Sequence, residues 1–266
     1  VAMLLVIALL VTVFPTSALA FSGPVEDLDL GSPQDTWDLG DGLQATRYYK
    51  YENGTSTFSL VIHKDPSADD NATFRMSDYS NASDAPWSKD NYLFRNIYIE
   101  DGVEHIGANA FNGFTAVTYA EIPSSVTSIG ASAFRGMSQA EFSDGTDDGT
   151  LNLSAVSSLG EYVFSGCSKI TGVTLDENLS AIPAYAFNST GLTDVEIPMG
   201  VTSIGNSAFA SCSNLDTISL PSSVETIGSY AFSGAPLRNM ESLTLPENLT
   251  TVGDHAFYRS TDKPQR

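Results

Sequence analysis

Cysteine is nearly missing from this chain of 266 residues: Cys167 and Cys212 are the only two, too few for a disulfide framework. Histidine is almost as scarce, and His63, His105 and His255 share no ligand spacing, which leaves a zinc site without support. Cations are outnumbered, 12 lysines and arginines against 32 aspartates and glutamates, so the formal charge is −20. A surface this anionic repels phosphate backbones and anionic bilayers, which argues against nucleic acid as a partner. Catalytic signatures are lacking as well. Gly130-Ala131-Ser132-Ala133-Phe134 has Phe where a nucleophile elbow needs its last Gly. The expectation is a protein that is not an enzyme and uses no cofactor.

Long apolar runs are confined to the start. MLLVIALLVTVF (3–14) is closed by Pro15, Thr16 and Ser17, then by Ala18-Leu19-Ala20. That order reads as the apolar region and cleavage site of a signal peptide over 1–20. No basic stretch precedes it and the chain opens on Val1, so the natural start is expected a few residues upstream. A retained membrane helix, the alternative, would need about 20 apolar residues. No Cys follows to carry a lipid. The mature chain is expected to begin at Phe21, to be secreted or held at the cell surface, and not to insert into a membrane.

One pattern is abundant. I-G-x-x-A-F, with small replacements, ends at Phe111, Phe134, Phe164, Phe187, Phe209, Phe232 and Phe257, at intervals of 23, 30, 23, 22, 23 and 25 residues. A period near 23 that tolerates one insertion means stacked coils, each too small to hold a core alone. In LTDVEIPMGVTSIGNSAF (192–209), Val195 and Ile197 have strand spacing, so Asp194 and Glu196 face the other way. Pro198 ends the strand because it has no amide to donate. SIGNSAF predicts a short helical or 3-10 turn on the far side of the coil. Gly205 and its equivalents Gly107, Gly130, Gly160, Gly228 and Gly253 mark a place where a side chain is unwanted. Pro183 in the same place shows that a positive φ is not required there. The phenylalanines, one per coil, are expected to stack as an internal spine. Each fully buried apolar peg is worth about 1.5–3 kcal/mol.

LTDVEIPMGVTSIGNSAFASCSNL and LDTISLPSSVETIGSYAFSGAPL resemble the BspA-like leucine-rich repeat family of secreted and cell-surface proteins, over residues from about 93 to 260. The resemblance implies an α/β leucine-rich-repeat solenoid of about seven coils, with a parallel β-sheet on the concave face and short helical or 3-10 turns on the convex side. It implies binding or adhesion and no catalytic residue.

Residues 21–92 lack the period. RYYKYENGTSTFSLVIHK (47–64) shows two strand-like runs around Asn53-Gly54, a hairpin signal, and the region is expected to form a β-rich amino-terminal cap. The polar stretch 67–85 is expected to be a long surface loop. The solenoid is assigned to 93–260 and a truncated tail to 261–266, with the natural chain expected to continue.

The concave face collects outward strand positions from every coil and is the default binding surface. Two columns are expected on it: Asn96, Tyr119, Gln139, Gly172, Asp194, Thr217 and Ser242, beside Tyr98, Glu121, Glu141, Thr174, Glu196, Ser219 and Thr244. Tyr98, Tyr119, Glu121, Glu141, Asp194 and Glu196 are the candidate ligand-binding residues, the tyrosines able to stack on a sugar or anchor a peptide. A plain solvated β-face is the alternative. Asp144, Thr146, Asp148 and Gly149 match the opening of an EF-hand-like loop, but its closing carboxylate position is Ala155, so a surface bulge is preferred to a calcium site. Cys167 and Cys212 take the same place in coils two turns apart. Strand stacking at about 4.8 Å puts them roughly 10 Å apart, beyond a disulfide's reach, as free buried thiols. Sequons at Asn53, Asn71, Asn81, Asn152, Asn178, Asn188 and Asn248 matter only in a eukaryotic host. Binding of an extracellular protein or glycan is the expected role. The alternative is a spacer or scaffold in a larger surface protein or enzyme continuing beyond Arg266.

Overall fold

The computed structural model describes residues 29–69, 72–143, 150–238 and 245–260. The expected leader, the mature start at Phe21, the calcium candidates Asp144, Thr146 and Asp148, the column positions Ser242 and Thr244 and the tail 261–266 lie outside them.

An antiparallel meander comes first: β1 (Ser32–Gly40), β2 (Leu43–Glu52) and β3 (Thr55–Lys64). Asn53 and Gly54, with φ of 51° and 83°, make the two-residue turn that an Asn-Gly pair favours. β3 then pairs in parallel with β4 (Phe94–Ile99), so the meander extends the sheet of the repeats.

Among the described residues each repeat contributes a shorter strand, and each repeat before the last a longer one as well. The longer set is β4, β6 (Tyr119–Glu121), β8 (Glu141–Ser143), β9 (Thr150–Leu153), β11 (Gly172–Leu175), β13 (Asp194–Glu196) and β15 (Thr217–Ser219). It forms the face expected to be concave. The shorter set is β5 (His105–Ile106), β7 (Ser128–Ile129), β10 (Ser158–Leu159), β12 (Ala181–Ile182), β14 (Ser203–Ile204), β16 (Thr226–Ile227) and β17 (Thr251–Val252). These seven short strands delimit six full turns of a β-solenoid, and every pairing between repeats is parallel.

Two features interrupt the ladders. In the 30-residue coil the insertion falls inside the concave strand: β8 bonds to β6 on one side, and β9 bonds to β11 on the other. In the short-strand ladder, the amides of Gly130, Gly160, Gly205, Gly228 and Gly253 donate to the coil before, as Gly130 to Ile106 and Gly160 to Ile129, both at 2.8 Å. Pro183 has no amide to give. The ladder accordingly divides there, into β5-β7-β10 and β12-β14-β16-β17. The glycine column is otherwise dictated by contact: a Cβ at Gly160 would lie 2.2 Å from the Ala131 nitrogen.

The convex segments differ from expectation. Among the described residues the only helix is a 3-10 turn at Ser88–Asp90, outside the repeats. A helix cannot propagate because Asn109, Ser132, Tyr162, Tyr185, Ser207, Tyr230 and His255 are all left-handed, with φ of 53–59°. What forms instead is a run of β-turns, such as Ala110 N–H to Gly107 O at 3.3 Å. Alternation of hand aims every second amide along the solenoid axis. Asn109, Phe111 and Gly113 donate to Ala131, Ala133 and Arg135 of the next coil at 2.8–2.9 Å.

The core is the expected spine. Phe111, Phe134, Phe164, Phe187, Phe209 and Phe232 are fully buried, Phe257 is half-buried, and successive ring centroids lie 5.2–5.9 Å apart. Trp87 heads the column, stacked 5.9 Å from Phe111 and donating Nε1–H to Ala110 O at 2.8 Å. The stretch expected as a surface loop is therefore more than a loop. Met76 is buried and its amide donates to His105 O, and Tyr79 donates to Ala108 O. Together with Trp87 this makes an irregular coil that lies against the first repeat.

Candidate functional site

The strand alternation that buries Ile97 and Ala120 turns Tyr98 and Tyr119 outward. Their rings meet at 5.4 Å with planes tilted by 44°. The Tyr119 hydroxyl donates to Glu121 Oε2 at 3.4 Å and is also hydrogen-bonded with Ser143. Glu121, expected to face solvent, is instead 2% exposed. Burial, and then the Glu121 charge, raise both phenols above their ordinary pKa. The site is thus a half-buried aromatic pair over an enclosed carboxylate.

Register places Glu141 opposite Tyr119 and Ser143 opposite Glu121. Glu141 is exposed beside the pair, and Gln139 falls in a turn outside the sheet. The expected columns were two residues early in this coil, because Phe142 rather than Ala140 is the partner of Ala120. Phe142 packs edge-on against Phe134 and Phe164, at 5.4 and 5.5 Å.

Asp194 and Glu196 form a separate group. They are exposed on β13, opposite Thr217 and Ser219 of β15. A groove of about 560 Å3 opens beside them, with Glu177, Glu196, Pro198 and Met199 among its lining. The six candidates therefore divide into a tyrosine–glutamate cluster and an acidic groove.

Residues 89–144 and 142–263 match the sequence profile described as "BspA type Leucine rich repeat region", in 6 copies. The chain belongs to this BspA-type leucine-rich repeat family. Among solved structures, a leucine-rich repeat protein from Bacteroides ovatus is 28% identical with a TM-score of 0.53, the match covering 80% of this chain and 49% of that one. The present chain spans about half the length of that relative. The T. pallidum leucine-rich repeat protein shares the fold at 22% identity and a TM-score of 0.51, over 81% of this chain and 88% of that one. No curated protein matches the chain.

The BspA-type repeat also accounts for a cluster that the sequence did not reveal. Ser128 Oγ lies 2.8 Å from His105 Nδ1, and His105 Nε2 lies 3.3 Å from Asp78 Oδ1. The order is that of a serine–histidine–aspartate relay. Ser128 is a repeat position, however, filled by Ser203 two coils on from Ser158. The amides of Ser128 and Gly130 already donate to Glu104 and Ile106 carbonyls, so they cannot receive an oxyanion. Asp78 also accepts the Ala108 amide at 2.6 Å. The cluster clamps the irregular first coil onto the first repeat.

Both thiols are free and buried, as expected. Cys167 Sγ and Cys212 Sγ each donate at 3.1 Å to a spine carbonyl, Phe134 O and Phe187 O. Burial pushes the Cys167 thiol up to about 12. Among the described residues no helix is long and apolar enough to cross a membrane.

Proposed function

We propose that this protein is a secreted or cell-surface binding module, without catalytic activity, whose concave sheet engages an extracellular protein or glycan. Membership of the BspA-type family supports the reading. The Tyr98–Tyr119 pair over Glu121 carries it. The repeat does not require aromatic rings there, since the corresponding face farther along is Thr217 and Ser219. Two tilted phenols at a half-buried position offer a stacking surface with hydroxyls at its rim, suited to a pyranose face or a peptide side chain. In this reading residues 1–20 direct export, 21–92 act as the amino-terminal cap, 93–260 form the binding solenoid and 261–266 are the tail.

The test is binding of the purified chain to a panel of matrix proteins and glycans, beside a Tyr98→Ala/Tyr119→Ala/Glu121→Ala variant whose fold is verified by circular dichroism. Selective binding that the variant loses supports the concave site. Equal binding by both removes it.

A second reading is that the coils space or scaffold a larger surface protein or enzyme. Its support is the half-length match to the Bacteroides ovatus protein. It expects the chain and its variant to be equally inert on the panel.

A further inference from the structure

The acidic groove is a second feature that the repeat does not require. Its lining includes Val173 and Glu177, Glu196 with Pro198 and Met199, and Pro221. A smaller recess of about 340 Å3, which includes Thr150 and Asp194, shares Val173, Thr174 and Glu196 with it. The two make one trough crossing β9, β11, β13 and β15. Four strands at about 4.8 Å spacing give it a length of roughly 14 Å, about four residues of extended chain.

Two observations indicate what fits it. The first is Met199, 72% exposed after the strand-ending Pro198. In the same place the other proline-ended coils carry a polar residue, Ser124 after Pro123, Ser222 after Pro221 and Glu247 after Pro246. A methionine mostly in water at a turn that works with serine or glutamate adds little to the coil's packing. It does offer a soft apolar rim that can adapt to a partner. The second is charge. Glu177, Asp194 and Glu196 are exposed along the trough, Asp194 Oδ2 accepting from Thr193 Oγ1 at 2.9 Å. Among the described residues no lysine or arginine lines either recess.

We propose that this trough takes an extended basic segment of a partner protein, with lysine or arginine heads at Glu177, Asp194 and Glu196 and their alkyl stems along Met199, Pro198 and Pro221. Long cationic side chains are the natural match to such a surface, since they bury a hydrocarbon stem and keep the charge at a wet carboxylate. A bare glycan would lack a platform here, because no aromatic ring lines either recess among the described residues. The net charge of −20 adds a field that speeds the approach of a basic partner. This inference rests on the concave-face reading and names a partner chemistry for a different part of that face.

The experiment is fluorescence anisotropy of the full chain with a short peptide alternating lysine and leucine, and with glutamate–leucine and serine–leucine counterparts. The lysine peptide alone is expected to bind, and to weaken roughly tenfold between low and physiological salt. Each neutralisation, Glu177→Gln, Asp194→Asn or Glu196→Gln, is expected to weaken it roughly two- to fivefold at low salt. Met199→Ser is expected to weaken it at both salts. Absence of binding, equal binding of the serine peptide, or full binding to the triple neutral variant overturns the proposal. If the triple variant still binds while Tyr98→Ala/Tyr119→Ala does not, the concave reading survives without this trough. If both variants bind as the parent does, the concave reading falls for this ligand too.

Discussion

Phe134 and Phe164 stack with ring centroids 5.4 Å apart and planes 2° from parallel, although 30 residues separate them instead of the usual 22–25. The insertion is taken up inside the concave strand, and the spine does not register it. Phe164→Ala, in the middle of the column, should cost about 3–5 kcal/mol because rings on both sides lose a neighbour. Phe257→Ala, half-buried and stacked among the described residues on Phe232 alone, should cost clearly less. Urea unfolding of the two variants checks the order, and an equal loss would contradict a spine that acts through both faces.

Glycine substitutions separate contact from conformation. Gly160→Ala would set a Cβ 2.2 Å from a backbone nitrogen and should cost about 1–3 kcal/mol through overpacking. Gly136→Ala meets nothing closer than 3.9 Å, but its φ is 80°, so the left-handed backbone alone should cost about 1 kcal/mol. Thermal melts of both variants report the difference.

Acid should loosen the first coil through Asp78. Its carboxyl is held below the ordinary value, mainly by the Ala108 amide and then by His105. A depressed folded pKa contributes stability that is present above the ordinary carboxylate value and is lost as pH falls through the folded one. Asp78→Asn should therefore lower Tm at neutral pH, and its deficit should close below about pH 4. A deficit that stays constant to lower pH would show that the carboxylate charge is not involved.

Tyr98 and Tyr119 should resist ionisation. Their raised phenols contribute stability that is fully present below about pH 10 and is lost as pH climbs through the folded values. Ultraviolet titration of the native protein should show late tyrosines, Tyr79 among them through burial alone, and Glu121→Gln should bring Tyr98 and Tyr119 earlier while leaving Tyr79 in place. No movement in that variant would place the cause in burial alone.

The thiols should be silent in the native state. Cys167 and Cys212 are fully buried and their pKa values are raised by burial. An aromatic disulfide reagent should label neither until denaturant is added. Prompt labelling of either would mean that the coil opens locally.

The solenoid was legible because its period is a one-dimensional property: seven phenylalanines at near-equal spacing need no knowledge of neighbours. Trp87 lies 24 residues before Phe111, so the same period, carried one step upstream with a different ring, could have located the top of the spine. The β-turns were misread as helical because Tyr162 or Ser132 gives no sign in the letters of taking a positive φ. That conformation is imposed by amides donating to the next coil. Tyr98, Tyr119 and Glu121 were assigned to one face by alternation, but burial of Glu121 depends on packing above the sheet. Gln139 was misplaced because Ala140 and Phe142 both have strand spacing, and only the fit against two spine rings chooses between them.

The proline at position 183 has a mechanical meaning. By withholding one amide it makes two ladders, of three and four rungs, where glycine would have allowed one of seven. The two coils that meet there stay tied elsewhere, by β9 with β11 and by the Tyr162, Phe164 and Gly166 amides donating to Ala184, Ala186 and Asn188. The join is therefore relieved of rungs along one edge alone, and a bend that opens that edge breaks no backbone hydrogen bond of either short ladder.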